Sequence, residues 1–303
     1  NYVLERKKVE AELGLRIEYV DLQYQVNPSH NTYKSDGYSY IQPFPTFRYG
    51  YKFNDRNKLS LFYNRRVDRP NEVDIRIFPK YDDAEIIKVG NPALKPQFTN
   101  SFEMGYKTSW KKGYFYIAAY HRIADATITR ISTTIPGSKI IYAVFQNVNK
   151  SYNTGLEAVF TQEISKWYSF NLNLNGYHNK IDAFTVNNLY PIPHSFNAAA
   201  QEMYSGNVKL NNIFHFGKDV DAQITAIYLA PDIIPQGKIG SRFSLDIGIK
   251  KKVKNGNGEW FLNATDLLNT MNIRREIAGD GFNYTSVDYY ETQVIRVGYS
   301  YKF

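Results

Sequence analysis

Apolar and polar residues alternate with a period of two along most of the chain. Leu59, Leu61 and Tyr63 alternate with polar neighbours, and residues 243–249 repeat this pattern. The period is typical of a β-strand that has one apolar and one polar face. No segment shows the longer period that predicts a helix, so we predict an all-β fold.

Short turns and long loops follow each other between the predicted strands. Short polar turns lie near residues 54, 111, 165, 217 and 256, whereas the other connections are long and polar. Five short turns bound six pairs of strands, which predicts about twelve strands from Val9 to the C-terminus. The alternation slips at Val20, which predicts a β-bulge in the first of these strands.

The sorting of connections by length predicts a membrane protein. Outer-membrane barrels have short turns on the periplasmic side and long loops on the extracellular side. A soluble β-sandwich gives no reason for such sorting. We therefore predict a transmembrane antiparallel β-barrel in the bacterial outer membrane, in which Leu245, Ile247 and Ile249 face lipid and Asp246 faces the lumen.

The distribution of aromatic residues supports the same fold. The chain contains 26 Tyr and 19 Phe, and each of its 3 Trp residues lies beside a different short turn. Amphipathic aromatic side chains gather at membrane interfaces, whereas the core of an ordinary β protein would scatter them along its strands. Trp110, Trp167 and Trp260 are therefore predicted to form an aromatic girdle on the periplasmic side.

Composition limits the other possibilities. Hydrophobic residues make up 43% of the chain, and no run of apolar residues is long enough to predict a transmembrane helix. Cysteine is absent, which excludes disulfides and thiolate chemistry. The net charge of +8 fits either an anionic partner such as lipopolysaccharide or a solvated surface. Strand alternation explains the interleaved basic and aromatic residues without nucleic acid.

Seven segments carry a pattern that resembles a known family. They are GLRIEY (14–19), KLSLFYNRRVDRP (58–70), GNPALKPQFTNSFEMGYK (90–107), QNVNKSYNTGLEAVF (146–160), PQGKIGSRFSLDIGIKK (235–251), FLNATDLLNT (261–270) and RVGYSYKF (296–303). Together they resemble the barrel of TonB-dependent outer-membrane transporters, and especially the "outer membrane protein beta-barrel" branch of that superfamily.

The resemblance implies a barrel of about 22 strands, closed from the periplasmic side by an N-terminal plug domain. Residues 1–303 would be the C-terminal part of that barrel, with about ten strands and the plug upstream. The chain starts inside a strand pattern, and it departs from the family in that its N-terminal residues carry neither a plug nor an energy-coupling box, so active transport is expected from the resemblance alone. TonB would act through that absent N-terminal region.

The last strand pattern ends in aromatic residues that share one face, namely Tyr299, Tyr301 and Phe303. By resemblance to other outer-membrane barrels, this terminus is predicted to be the signal that the barrel assembly machinery recognises. The alternative is that Phe303 only anchors the periplasmic rim.

The long loop at residues 71–95 is the best candidate for function. It is charged, bounded by proline and predicted to be extracellular, where it would cap the pore or contact substrate. Arg76, Lys80, Tyr81 and Lys88 suit polar or anionic ligands, and Tyr81 can stack on a sugar or an aromatic group. The alternative is a solvated loop that only shields the rim.

Candidates for catalysis and for cofactors are weak. The five His residues show no metal-ligand spacing. Asp82, Asp83 and Glu85 could hold Ca²⁺, but a solvated acidic loop is the favoured interpretation. His194 and Ser195 are neighbours, and adjacent strand residues point to opposite faces, which argues against a catalytic pair. We therefore predict no cofactor and no enzymatic activity.

Three classes of function remain open. The first is a plugged transporter, energised by TonB, for a scarce nutrient such as a siderophore, a glycan or a peptide. The second is a passive pore or an assembly component on the same barrel, and the third, ranked last, is an outer-membrane hydrolase. Outer-membrane lipid and lipopolysaccharide are the expected surroundings, and a surface lipoprotein is a further candidate partner.

Overall fold

The structure is a computed structural model that describes residues 1–30, 32–81, 85–135, 137–253, 257–279 and 281–302. The predicted turn near residue 256 and the terminal Phe303 therefore lie partly or wholly outside the described residues. The same holds for Asp82 and Asp83 of the acidic cluster.

The described residues form one short helix and 22 strands. In chain order they are β1 (Tyr2–Glu5), β2 (Val9–Tyr24), β3 (Asp36–Lys52), β4 (Asn57–Asp68), α1 (Glu72–Ile75), β5 (Ile86–Val89), β6 (Gln97–Trp110), β7 (Gly113–Asp125), β8 (Ile128–Thr133), β9 (Ile141–Asn147), β10 (Ser151–Ser165), β11 (Tyr168–Ile181), β12 (Phe184–Asn188), β13 (His194–Ala198), β14 (Gln201–Phe216), β15 (Val220–Leu229), β16 (Asp232–Ile234), β17 (Gly237–Ile239), β18 (Arg242–Val253), β19 (Gly258–Thr265), β20 (Ile273–Gly279), β21 (Phe282–Asp288) and β22 (Val294–Tyr301).

Thirteen strands form one antiparallel sheet in the order β1-β2-β3-β4-β6-β7-β10-β11-β14-β15-β18-β19-β22. The all-β prediction is confirmed, but the count of about twelve strands is wrong. The missed strand is β1, which pairs with β2 from Tyr2 opposite Leu13 to Glu5 opposite Glu10. Its four residues are too few to show a period of two.

The predicted β-bulge at Val20 is also wrong. The β2–β3 register runs without a shift from Val9 opposite Tyr51 to Tyr24 opposite Asp36. Val20, Leu22 and Tyr24 lie on the face of β2 opposite to Leu13, Leu15 and Ile17. The change of phase is therefore a change in which face carries the apolar residues, without an irregularity in strand pairing.

Connections in the sheet are sorted by length, as predicted. Short turns at residues 6–8, 53–56, 111–112, 166–167 and 217–219 lie at one end of the strands. Six long loops lie at the other end: residues 25–35, 69–96, 126–150, 182–200, 230–241 and 266–293. The remaining nine strands lie in these loops, where they form small sheets of two, three and four strands.

One face of the large sheet is apolar across neighbouring strands, and we call it the apolar face. Leu172 lies opposite Leu210, Leu210 opposite Ala226, and Ala226 opposite Leu245. Large apolar side chains on this face are exposed, including Val297 at 68%. Exposing such a surface to water costs free energy, whereas contact with lipid acyl chains, as on the outside of a membrane barrel, does not.

The other face, which we call the polar face, carries charged and hydrogen-bonding side chains. Glu10 forms ion pairs with Lys52 and Lys58 across three strands. The Tyr116 hydroxyl donates to the Glu103 carboxylate over 2.8 Å. Polar groups that satisfy one another in this way suit the inside of a barrel.

The sheet has two edges in the described part of the chain, because β1 pairs only with β2 and β22 pairs only with β19. Each edge presents backbone N–H and C=O groups without a strand partner. In lipid such groups are costly to leave without a partner.

The assignment of faces predicts a large cost for one lysine substitution and almost none for another at a neighbouring position in the sheet. Ile247 lies on the apolar face at mid-strand, and Asn263 lies on the polar face of the adjacent strand. We expect Ile247→Lys to reduce the free energy of unfolding by about 2–4 kcal/mol, because it places a charge in lipid. Asn263→Lys is the matched control and should change it by no more than about 0.5 kcal/mol. Urea titration in lipid vesicles measures both, and an equal cost at the two sites would contradict the assignment.

Candidate functional site

The six long loops pack into one structure, which we call the loop unit. Its larger apolar cluster joins three loops through Ile131, Phe184, Val186, Phe196 and Ile233. Ile131 is fully buried. Such buried aliphatic and aromatic side chains stabilise the loops in the way that the core of a globular domain does. The loops therefore hold a defined conformation.

A second cluster ties the loops at residues 25–35, 69–96 and 126–150 together through Tyr33, Val89 and Val144. The Tyr33 hydroxyl donates to the Gly90 carbonyl over 3.0 Å. Burial raises the pKa of Tyr33 far above its usual value, so the phenol keeps its proton. A Cβ at Gly90 would lie 2.4 Å from the Arg76 amide nitrogen, so this close approach requires glycine.

A buried polar network lies beside the larger cluster. The amide of Asn188, which is fully buried, accepts from Gln146 and donates to the Thr133 hydroxyl over 3.3 Å. His194 Nδ1 lies 2.7 Å from the Ile192 carbonyl oxygen, and because a carbonyl only accepts, this nitrogen carries the hydrogen. His194 Nε2 lies 2.7 Å from the Thr133 hydroxyl, which donates to it when the ring is neutral.

This network bears on the hydrolase alternative. His194 and Ser195 lie next to each other on β13 and point to opposite faces. The Ser195 hydroxyl donates to Asn187 over 2.7 Å, whereas His194 contacts Thr133 and Asn188. The geometry of a Ser–His pair is therefore not met by these two residues.

The ends of β4 and β6 next to the loop at residues 69–96 lie across the polar face of β3. Phe98 and Phe102 share the apolar face of β6. The centre of the Phe98 ring nevertheless lies 5.5 Å from that of Tyr40 and 6.2 Å from that of Phe44. Both of these residues share the polar face of β3 with Arg48. The loop at residues 69–96 thus starts from strands that lean over the polar face, which places it above the predicted lumen.

The residues predicted to contact ligand in this loop differ in their surroundings, and the structure brings two of them, Lys80 and Lys88, together. Arg76 makes two hydrogen bonds of 2.9 Å to Glu72 one helical turn away. Lys80 and Lys88 form a backbone bridge, and Tyr81 is 70% exposed. Of the four, Lys88 lines a cavity, which we call the inter-loop cavity.

The inter-loop cavity has a volume of about 420 Å³ and lies between two of the loop sheets. One wall is the β5-β9-β8 sheet, with Lys88, Arg130 and Ser132. The other is the β20-β21 hairpin, from which Arg275, Ile277, Tyr284, Ser286 and Asp288 line the cavity.

Gln236 closes the floor of this cavity. Its side-chain amide accepts from the Ser132 N–H over 2.6 Å and donates to the Ser132 carbonyl over 2.7 Å, in the manner of a strand partner. The next residue, Gly237, has φ of 152°, and a Cβ there would lie 1.9 Å from the Glu276 carbonyl oxygen. Glycine therefore allows β17 to approach β20 closely.

Sequence analysis missed the residues on the hairpin side of the cavity. Arg275 and Lys88 are far apart in the chain, and nothing in their local pattern indicates that they meet. A signal for the hairpin itself is present, because Asp280-Gly281 between two alternating segments is typical of a tight β-turn.

The loop that carries this hairpin is fastened at its base by Asp266, which is 2% exposed. Burial opposes ionisation, but hydrogen bonds from the Thr292 hydroxyl and from the Thr270 and Met271 amides outweigh it and hold the pKa of Asp266 below its usual value. The Asp266 amide in turn donates to the Asp246 carboxylate over 2.8 Å.

The three tryptophans lie at the short-turn end, as the sequence indicated. Trp110 donates to Gln162 over 2.8 Å, and the exposed Trp260 contacts Tyr299 with ring centres 4.9 Å apart. Trp167, in the turn between β10 and β11, stacks on Phe214. Tyr301 shares the exposed apolar face with Tyr299, whereas Phe303 lies outside the described residues.

Among the residues that the structure describes, no helix combines the length and the apolar character needed to cross a membrane. No group of His, Asp and Glu side chains in that part of the chain is arranged to hold a metal ion.

Comparison with known proteins adds a family and a fold. The model of the outer membrane protein beta-barrel family matches residues 1–301. No curated protein matches the chain.

Three solved structures illustrate the likeness in fold. The copper transporter OprC matches with a TM-score of 0.66 and 13% identity, over 99% of this chain and 46% of its own. The FrpB iron transporter from Neisseria meningitidis matches with a TM-score of 0.59 and 11% identity, over 99% of this chain and 44% of its own. The siderophore receptor PirA from Pseudomonas aeruginosa matches with a TM-score of 0.58 and 11% identity, over 88% of this chain and 43% of its own. This chain thus spans less than half of each structure.

The Asp266 contacts predict an acid-sensitive loop base. Because the pKa of Asp266 is lower in the folded state than its usual value of about 3.9, its contribution to stability is present above that pH and is lost as pH falls through the folded value. Hydrogen exchange at the Thr270 and Met271 amides, corrected for intrinsic rates, should accelerate between about pH 5 and pH 2. In the Asp266→Asn variant, the protection of these amides against hydrogen exchange should be low over the whole of this pH range. Protection that stays constant over this range in the unsubstituted protein would contradict the prediction.

Proposed function

The chain belongs to the outer membrane protein beta-barrel family, and on that premise we propose that it is part of a TonB-dependent transporter that takes up a scarce nutrient. The observation that carries the proposal is the loop unit, in which the loop at residues 69–96 starts from strands that lean over the polar face of β3 and which contains a cavity of ligand size. Siderophores, glycans and peptides are the candidate nutrients. The names of the copper transporter, the siderophore receptor and the iron transporter support an uptake role.

The complete barrel in this proposal has about 22 strands, of which these residues supply thirteen. About nine further strands would pair with the edges at β1 and β22 and satisfy their backbone groups in lipid. A barrel of this size encloses a wide lumen, so a plug domain would fill it, and TonB would act on the transporter through the plug. Both lie outside the 303 residues in this proposal.

The two ends of the sheet would have different surroundings in the outer membrane. The aromatic girdle of Trp110, Trp167 and Trp260 would lie at the periplasmic interface, where indole rings are favoured. The same rim would present Tyr299, Tyr301 and Phe303 to the barrel assembly machinery. The loop unit would lie outside the cell, next to lipopolysaccharide.

The alternatives have less support. A passive pore needs an open path, and the strands that carry the loop at residues 69–96 lean over the polar face of β3 instead. Hydrolysis needs an activated nucleophile, and His194 is hydrogen-bonded to Thr133 and Asn188 rather than to Ser195.

Energy-dependent uptake in whole cells tests the proposal. A strain that lacks the gene and one that expresses the full-length protein would be given labelled ferric siderophores, oligosaccharides and peptides, with and without a protonophore. We expect at least one nutrient to accumulate only in the expressing cells and only while the membrane is energised. Accumulation that survives the protonophore or the deletion of TonB would favour the passive pore.

The long loop provides a second test. Deleting residues 73–89 removes α1 and β5 but none of the thirteen strands of the large sheet, so the barrel should still fold and insert. Uptake should fall, because Val89 and its cluster hold three loops together. A variant with alanine at Arg76, Lys80, Tyr81 and Lys88 keeps the loop and separates ligand contacts from architecture. Unchanged uptake in both variants, at equal surface abundance, would remove this loop from the proposal.

A further inference from the structure

We propose that the loop unit stays packed around its two apolar clusters only while two of its histidines, His30 and His194, are uncharged, so that mild acid opens it. Each ring accepts hydrogen bonds at a nitrogen that protonation would convert into a donor. One of these histidines lies beside each cluster. The inference concerns the conformation of the loops, and its test does not depend on whether the protein transports a nutrient.

The His30 ring holds a turn next to the second cluster. Its Nδ1 accepts from the backbone amides of Thr32 over 3.2 Å and of Tyr33 over 3.1 Å. Backbone N–H groups can only donate, so a proton on Nδ1 would face two other N–H groups, and both hydrogen bonds would be lost. The centre of the ring lies 5.7 Å from that of Tyr33, a member of the cluster. Loss of this turn would therefore disturb the cluster as well.

The His194 ring is in a similar position beside the larger cluster, where it shares a face of β13 with Phe196. Its Nδ1 carries the hydrogen that is donated to the Ile192 carbonyl, which leaves Nε2 as an acceptor in the uncharged ring. Two donors reach Nε2, the Thr133 hydroxyl at 2.7 Å and the Asn188 amide nitrogen at 3.2 Å. A second proton on this ring would direct an N–H group at the NH2 group of Asn188.

A series of side-chain amides fixes the direction of that last contact. Asn91 accepts from the Ala93 backbone amide over 3.0 Å and donates to the side-chain oxygen of Gln146 over 3.3 Å. Gln146 donates in turn to the side-chain oxygen of Asn188, so the NH2 group of Asn188 is directed at His194. A backbone N–H fixes the first amide. The last one could therefore present an oxygen to His194 only if the whole series turned over.

Neither of these half-buried rings forms an ion pair with a described residue, in contrast to two histidines of the large sheet. His178 pairs with Glu202 at 3.5 Å, and His215 pairs with Asp221 at 2.6 Å. A carboxylate stabilises a protonated imidazole, whereas a charge on a partly buried ring without such a partner is costly. Acid therefore favours the contacts of the sheet histidines and opposes those of the loop histidines.

Other ionisable groups around the two clusters do not offset such a charge. Tyr142 of β9 and Tyr190 contribute phenols, with ring centres 5.9 Å apart. Lys88 and Arg130 line the inter-loop cavity on the other side of β5 and β8, and Lys34, in the loop of His30, is exposed. The strand β12 and the rest of β13 carry no ionisable side chain. Phenols ordinarily ionise near pH 10 and carboxylates near pH 4, so histidine is the side chain that titrates between about pH 5 and pH 8.

The direction of the effect follows from the protons that each state binds. The open loops take up protons at both histidines, and the closed loops do not. By linkage, the stability of the closed loops falls as pH falls through the range in which histidine titrates. This range lies above the one in which Asp266 takes up its proton, so the two acid effects are separable.

Hydrogen exchange of the purified full-length protein in detergent, read by mass spectrometry and corrected for intrinsic rates, tests the inference. The two segments to follow are residues 32–35, next to His30, and residues 184–198, which contain β12 and β13. We expect exchange in both to accelerate at least about tenfold between pH 8 and pH 5.5, because hydrogen bonds to each ring are lost. The strands β11 and β14 of the large sheet are the internal reference and should keep their protection.

Substitutions that keep an acceptor but cannot take up a proton localise the effect. In His30→Asn the amide oxygen takes the place of Nδ1, and in His194→Gln it takes the place of Nε2. The double variant should show no acceleration in either segment. His178→Gln and His215→Gln are the matched controls and should leave the acceleration unchanged, because these rings pair with carboxylates outside the two clusters. If the double variant fails to fold, the two single variants, each read at its own segment, remain decisive.

Three results would overturn the inference. The first is equal protection of the two loop segments at pH 8 and pH 5.5 in the unsubstituted protein. The second is an acceleration that persists when the histidines are replaced, and the third is one that β11 and β14 share, since it would report unfolding of the whole protein. Energy-dependent uptake at neutral pH is a separate measurement, so the transport proposal can stand or fail independently of the acid response.

Discussion

In lipid, every backbone N–H and C=O group must find its partner within the protein. Between its two edge strands, the thirteen-stranded sheet meets this requirement with long antiparallel registers, of which β2–β3 and β11–β14 are examples. Strand geometry then determines the alternation of side chains, because successive residues on a paired strand point to opposite faces. Residues such as Leu172 and Leu210 form the apolar face, while Glu10 and Lys58 satisfy each other on the polar face. The same requirement leaves irregular backbone and buried loop contacts to the ends of the strands.

The loop unit follows the rules of a globular domain. It buries Ile131 and Phe196 in an apolar cluster, and it pairs buried polar groups such as Asn188 and Gln146. Packing of this kind gives precise side-chain positions, which a flexible loop does not provide. Arg275 and Ser132 face each other across a cavity for this reason, although they belong to different loops. Function is therefore expected where the chain leaves the sheet, on a scaffold that the sheet holds in place.

Periodicity predicted the large sheet well because the pattern is local. The faces of Leu245 and Ile247, the short turns and the positions of the tryptophans could all be predicted from neighbouring residues. Two errors have a physical origin: β1 is too short to show a period, and from Val20 onward the apolar residues of β2 move to its other face without a shift in register. The cavity could not be predicted, because the contact of Gln236 with Ser132 joins residues 104 positions apart and has no local signature. The Asp280-Gly281 sequence, which is typical of a tight turn, was the local clue to its hairpin wall.

The central claim is that the loop unit lies outside the cell and the short turns lie in the periplasm. Because these 303 residues contain no cysteine, single substitutions can report on each side. Thr285→Cys places a thiol on the exposed face of the β20-β21 hairpin, and Lys112→Cys places one in the turn between β6 and β7. With a membrane-impermeant maleimide, Thr285→Cys should be labelled in intact cells, whereas Lys112→Cys should be labelled only after the outer membrane is ruptured. Labelling of Lys112→Cys in intact cells, with protection of Thr285→Cys, would contradict the account.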